Sequence, residues 1–162
     1  MACYYRGFEI VWLKSDVGRR HDIFVTGEKT QLKIPSRIDM IDRAASLANE
    51  IATRCGFDAE SIFGIELAVR EAVSNAVVHG NREDESKIVE VAFTDAVNAL
   101  TITVRDFGAG FDPESVPDPT REENLLKPSG RGMFFMRTFM DEVIWQHHPE
   151  GGTIVRMTKR RS

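Results

Sequence analysis

Only two cysteines, Cys3 and Cys55, occur in the 162 residues. That scarcity excludes a disulfide framework, offers no metal spacing, and suits a reduced compartment. An excess of positive charge is missing too. The 21 basic residues against 25 acidic ones leave a formal net charge of −4, which gives no electrostatic reason to expect nucleic acid or a membrane surface as partner. No run is long and apolar enough to span a bilayer, and Met1 to Gly7 has neither the basic start nor the apolar centre of a signal peptide. Internal repeats and low-complexity tracts are lacking. What remains is the expectation of a cytoplasmic protein with one globular domain, and its 42% hydrophobic and 28% charged residues are ordinary for that class.

The hydrophobic pattern that is present changes period along the chain. Gln31 to Ile34 reads as a short strand, followed by Pro35 and a helix N-cap at Ser36. Ile38, Ile41, Ala44, Ala45, Leu47, Ala48, Ile51 and Ala52 then form a helical stripe that runs to Gly56. Asp58 is placed to cap a second helix, with Glu60 in its first turn; Ile62, Ile65, Val69, Ala72, Val73 and Ala76 form its buried face, and Gly80-Asn81 ends it. After the polar run "NREDESK" the period becomes two. Val89, Val91 and Phe93, then Leu100, Ile102 and Val104, mark two strands across a turn. A glycine- and proline-rich segment from Phe107 to Gly132 precedes a helix in "MFFMRTFM". A strand from Val143, the "PEGGT" turn and a strand through Thr153, Val155 and Met157 follow. This order predicts an α+β fold, a two-layer sandwich with helices covering one face of a mostly antiparallel sheet. Residues 1–28 read as an N-terminal extension, an added strand or an arm, and 29–162 as the domain.

Three polar residues on the second helix, Glu71, Asn75 and His79, follow one another at i, i+4, i+8 and form one stripe, each step turning ~40° about the axis. The stripe lies between apolar positions, not opposite them. Strand parity matters equally: if Leu100, Ile102 and Val104 face the helices, so does Asp106. A carboxylate there needs a partner, because an unpaired buried charge is very costly. Gly108 and Gly110 follow it and let a ligand approach the backbone. Gly130 and Gly132 directly precede a helix, whose free N–H groups favour an anion such as phosphate. Together these features describe one cavity, where a carboxylate can accept a base-edge N–H and a helix start can hold phosphates. A Walker A loop and a Rossmann GxGxxG unit are both absent. His79 reads as a packed or capping residue, His147 and His148 face opposite ways on a strand, and Phe134, Phe135, Phe139 and Trp145 read as core.

The segments "EAVSNAVVHGN", "DFGAGFD" and "PSGRGMFFMRTFMDEV" resemble the N, G1 and G2 boxes of the GHKL superfamily, whose members share the Bergerat ATP-binding fold. The resemblance covers roughly Gln31 to Lys159 and is nearest to the bacterial anti-sigma-factor serine kinases of the RsbW/SpoIIAB type. It implies that Asn75 holds Mg²⁺ bridging the phosphates and that Glu71 acts as general base on the attacking hydroxyl. By the same resemblance, Asp106 accepts a hydrogen bond from the adenine amino group, and Thr153 joins it. Gly108 and Gly110 would lie beside the nucleotide, and Gly130, Arg131, Gly132 and Met133 around the phosphates; the charges of Lys127 and Arg131 read either as phosphate contacts or as solvated lid residues. Phe111 to Ser129 corresponds to the ATP lid. Implied partners are a STAS-domain anti-anti-sigma protein carrying the target serine, a sigma factor or analogous target, and a second copy of the chain. Many sensor histidine kinases have a basic residue where this chain has Val78 and lack a glutamate at the Glu71 position. Those departures favour the serine kinase. A non-catalytic ATP-binding switch is the alternative that the same residues allow.

Overall fold

The change of period becomes a change of layer in the computed structural model, which describes residues 28–109 and 131–161. The readings of the N-terminal extension and the lid lie outside those residues, as do Gly110, Lys127 and Gly130. Five strands form one sheet: β1 (Glu28–Pro35), β2 (Ile88–Ala96), β3 (Ala99–Arg105), β4 (Glu142–His147) and β5 (Thr153–Arg160). Their spatial order is β1-β2-β3-β5-β4, and every neighbouring pair is antiparallel. Three α-helices, α1 (Ile41–Arg54), α2 (Ala59–Ser74) and α3 (Arg131–Phe139), complete the α+β sandwich, with α2 packed against both others.

Alternation puts one side of each central strand into the core. Val91 stands opposite Val104, which stands opposite Val155; Phe93, Ile102 and Met157 make the next row. All six are at most 5% exposed, and such cross-strand rows are the unit of sheet stabilisation. From the helices, Ala44, Ala48, Ile51, Ile65, Ala68, Val69, Ala72 and Val73 close over them. Small alanines on α1 and α2 let the two axes come close. Asp58 caps α2 as its residue type dictates, its side chain accepting from Ser61 N at 2.7 Å.

Four local readings are corrected. Ser36 is not a cap: α1 is preceded by a 3₁₀ turn, Ile38–Met40, whose N-cap is Arg37, and Ser36 is fully buried. Its Oγ donates to Lys87 O at 2.9 Å, because burial makes a tertiary bond worth more than a local one. Ile38 is 58% exposed, outside the stripe it was assigned to, and Phe134 and Phe135 are exposed at 41% and 36%. The methionines Met133, Met136 and Met140 fill the α3 side of the core instead. Finally, α2 does not end as an α-helix. Its last turn, Asn75–Gly80, is π-helical, with Asn81 N donating to Ala76 O at 2.8 Å. The wider turn carries His79 off the polar line: His79 is exposed, while Glu71 and Asn75 are half-buried.

Candidate functional site

Strand parity brings Asp106 inward, 4% exposed. Its Oδ1 accepts from Gly108 N at 2.9 Å and from Thr153 N at 3.2 Å, while Asp106 N donates to Thr153 O at 3.0 Å. Backbone donors of this kind are what a buried carboxylate requires. Three chain segments reach it because glycines remove the side chains between them. A Cβ on Gly80 would stand 2.4 Å from Asp106 Cγ, one on Gly108 1.8 Å from Gly80 O, and one on Gly152 2.1 Å from Asp106 O. Gly152 also has φ +87°, a left-handed value that favours glycine. Beside the carboxylate, Thr153 is 3% exposed, and its Oγ1 has no hydrogen-bond partner among the described residues. A buried hydroxyl left so is costly, and a ligand's polar edge would satisfy it.

Asn81 is a part of this corner that sequence reasoning read only as a helix stop. It is 1% exposed. Its Nδ2 donates to Ser36 Oγ at 2.7 Å and to Ile88 O at 2.8 Å, and its Oδ1 accepts from Phe107 N at 2.8 Å. The roles of Gly80 and Gly152 were likewise missed; each was visible as a glycine, but the atoms each one meets are distant in sequence.

At the other end lies Glu71. A Cβ on Gly132 would stand 2.4 Å from Glu71 Oε2, so the start of α3 sits directly against this carboxylate. Burial holds the Glu71 carboxyl above the usual carboxylate range, and the neighbouring Arg70 pulls it partly back. Arg131 is exposed, and the Met133 side chain is in the core. Asn75 lies on α2 between Glu71 and Gly80. Among the described residues no group of three or more His, Cys, Asp or Glu converges as a metal cage. An ion held mainly by phosphates and water needs no such cage, and one amide oxygen suits it. Glu71 and Gly132 therefore meet at one end, Asp106, Gly108 and Thr153 at the other, with Asn75 at the start of the π turn that leads from α2 to Gly80.

Over residues 34–159 the sequence matches the histidine kinase-like ATPase domain family. The chain belongs to that family. Within it, the serine-protein kinase RsbW of Bacillus subtilis is 30% identical over 135 residues, 80% of this chain and 83% of that protein. The serine-protein kinase RsbW of Listeria monocytogenes is 29% identical over 138 residues, 82% of this chain and 87% of that protein. Among solved structures, the RsbU and RsbW domains of a Mycobacterium tuberculosis protein match with a TM-score of 0.60 at 22% identity. That match covers 82% of this chain but 31% of the longer one, and it is a likeness of fold. No helix among the described residues is long and apolar enough to cross a membrane.

Proposed function

We propose that this chain is an ATP-dependent serine kinase of the partner-switching type. Its substrate is a serine on a small STAS-domain anti-anti-sigma protein, and in another state it holds a sigma factor or analogous target. It works in the cytoplasm, without direct contact to nucleic acid or membrane, and pairs with a second copy as the family implies. The observation that carries the reading is the approach of Glu71 to Gly132. It sets a carboxylate at the helix start where phosphates are favourably held.

In this reading the adenine amino group donates to Asp106, and Thr153 Oγ1 gains the partner it lacks. Gly108 and Gly110 lie against the base and sugar side, and Gly130, Arg131, Gly132, the Met133 backbone and Lys127 surround the phosphates. Asn75 would hold Mg²⁺ through its amide oxygen, and the ion would supply positive charge to offset that of the phosphates. Glu71 orients the serine hydroxyl and takes its proton as Oγ bonds to the γ-phosphorus and the bond to ADP breaks. Its raised pKa makes it a better base than an exposed glutamate.

A second reading, the non-catalytic switch, draws on a different observation. Phe134 and Phe135 are exposed on α3 immediately after Gly132, apolar surface next to the nucleotide end. Incubation with γ-labelled ATP and a STAS protein from the same genome separates the two. Label on a serine of the STAS protein supports the kinase. Tight ATP-dependent binding of a partner without transfer would replace the kinase by the switch.

A further inference from the structure

The Asn81 side chain has no part in the chemistry above, yet it is among the most deeply buried polar groups of the protein, 1% exposed. Its orientation is fixed by unambiguous partners. Phe107 N can only donate and Ile88 O can only accept, so rotating the amide by a half-turn would set donor against donor and acceptor against acceptor. One end of the amide is tied to the scaffold, at Ser36 beyond β1 and Ile88 at the start of β2. The other end holds a single atom of the site, the peptide nitrogen that immediately follows Asp106.

We infer that Asn81 is a positioning residue that sets adenine selectivity by holding the Asp106–Phe107 peptide in place. The inference rests on the nucleotide reading of the Asp106 corner. Gly108, one residue further, donates to Asp106 Oδ1 at 2.9 Å. The turn from Asp106 to Gly108 thus aims the carboxylate, and Asn81 fixes the middle of that turn from behind. On the exposed side, the Arg105 guanidinium lies 4.3 Å from the centre of the Phe107 ring and 3.1 Å from His148 Nδ1. The guanidinium steadies the Phe107 side chain; among the described residues, its backbone N–H is held by Asn81 alone. A carboxylate reads an amino group through the direction of one lone pair, so a small rotation of this turn weakens discrimination more than total binding.

The test compares ATP with GTP by calorimetry for the parent, Asn81→Ala and Ser36→Ala, each confirmed folded by circular dichroism at the assay temperature. Ser36→Ala removes one of the two scaffold contacts of Asn81 and leaves its bonds to Ile88 and Phe107. It should lower Tm and leave the ATP/GTP affinity ratio unchanged. Asn81→Ala should lower Tm and also cut that ratio by about tenfold, the scale of one aimed hydrogen bond. If the alanine variant does not fold, Asn81→Ser takes its place with the same expectation, since its hydroxyl is polar but too short for Phe107 N. An unchanged ratio in the folded Asn81 variant, or an equal fall in Ser36→Ala, overturns the inference and leaves the nucleotide site standing. A parent that does not prefer ATP overturns both.

Discussion

At the Asp106 end, three backbone segments close on one buried carboxylate, and peptide N–H groups hold one of its oxygens. At the Glu71 end, a half-buried carboxylate meets a single glycine at the start of a helix. The first end is rigid because its contacts are backbone against backbone: the Gly108 Cβ position falls on Gly80 O, and that of Gly152 on Asp106 O. The second is adjustable because the atom facing Gly132 is the far end of a flexible side chain. Recognition of a base asks for fixed lone pairs, whereas transfer asks for a carboxylate that can follow a hydroxyl proton. The molecule divides its polar groups between those two demands.

The largest effect should come from the adjustable end. Glu71→Gln keeps shape and removes basicity, so phosphoryl transfer should fall about 10²-fold, the lower range for general-base loss in a largely dissociative reaction. ATP affinity should change little. A single-turnover assay beside an ATP titration reads both, and equal transfer by variant and parent would remove Glu71 as base. Asp106→Asn comes next. If its oxygen keeps the bonds to Gly108 N and Thr153 N, its NH₂ takes the place of the outer oxygen and points a donor at the adenine amino group. Such a loss costs roughly 1.5–3 kcal/mol, so ATP affinity should drop at least about tenfold. Intact affinity by calorimetry would mean that adenine lies elsewhere.

A pair of alanine substitutions tests the contrast itself. In Gly80→Ala the new methyl meets Asp106 Cγ and Cβ, 2.4 and 2.8 Å from the Cβ position, on a carboxylate that the backbone holds in place. Overpacking of this kind costs about 1–3 kcal/mol. In Gly132→Ala the methyl meets Glu71 Oε2, which can swing away, so the loss of stability should be clearly smaller. Urea denaturation of the two variants decides it; equal losses would mean that the two ends are equally stiff.

Much of the fold was legible because it rests on local pattern. The alternation of Val89, Val91 and Phe93, and of Leu100, Ile102 and Val104, is enough to place Asp106 on the helix side. Asp58 announced its cap. The site was legible as three motifs and their resemblance, not as contacts. Ser36 has the residue type of a cap, and only Lys87 and Asn81, 51 and 45 residues away, make it a tertiary bonding group. Nothing in "NAVVHG" marks a π turn, since its apolar spacing fits an α-helix equally well. Phe134 and Phe135 look like core in sequence because hydrophobicity does not say which helix face the methionines will occupy.

The smallest expected effect concerns pH and again contrasts Glu71 with its amide. Burial raises the folded-state pKa of Glu71, so folding favours the protonated acid. Well below the ordinary glutamate range, the group is protonated in both states and adds no pH dependence. As pH rises through that range, the unfolded chain releases its proton first, and the parent loses stability until the folded-state pKa is passed. Glutamine does not titrate there. Glu71→Gln should therefore gain Tm relative to the parent as pH climbs from about 4 toward neutrality, then hold a constant small advantage. Half-exposure and Arg70 keep the gain modest. Thermal melts of both proteins across that pH interval measure it. A difference that shrinks with rising pH would mean that the Glu71 carboxylate is stabilised, not strained, by its surroundings, and its promotion as a base would lose its physical cause.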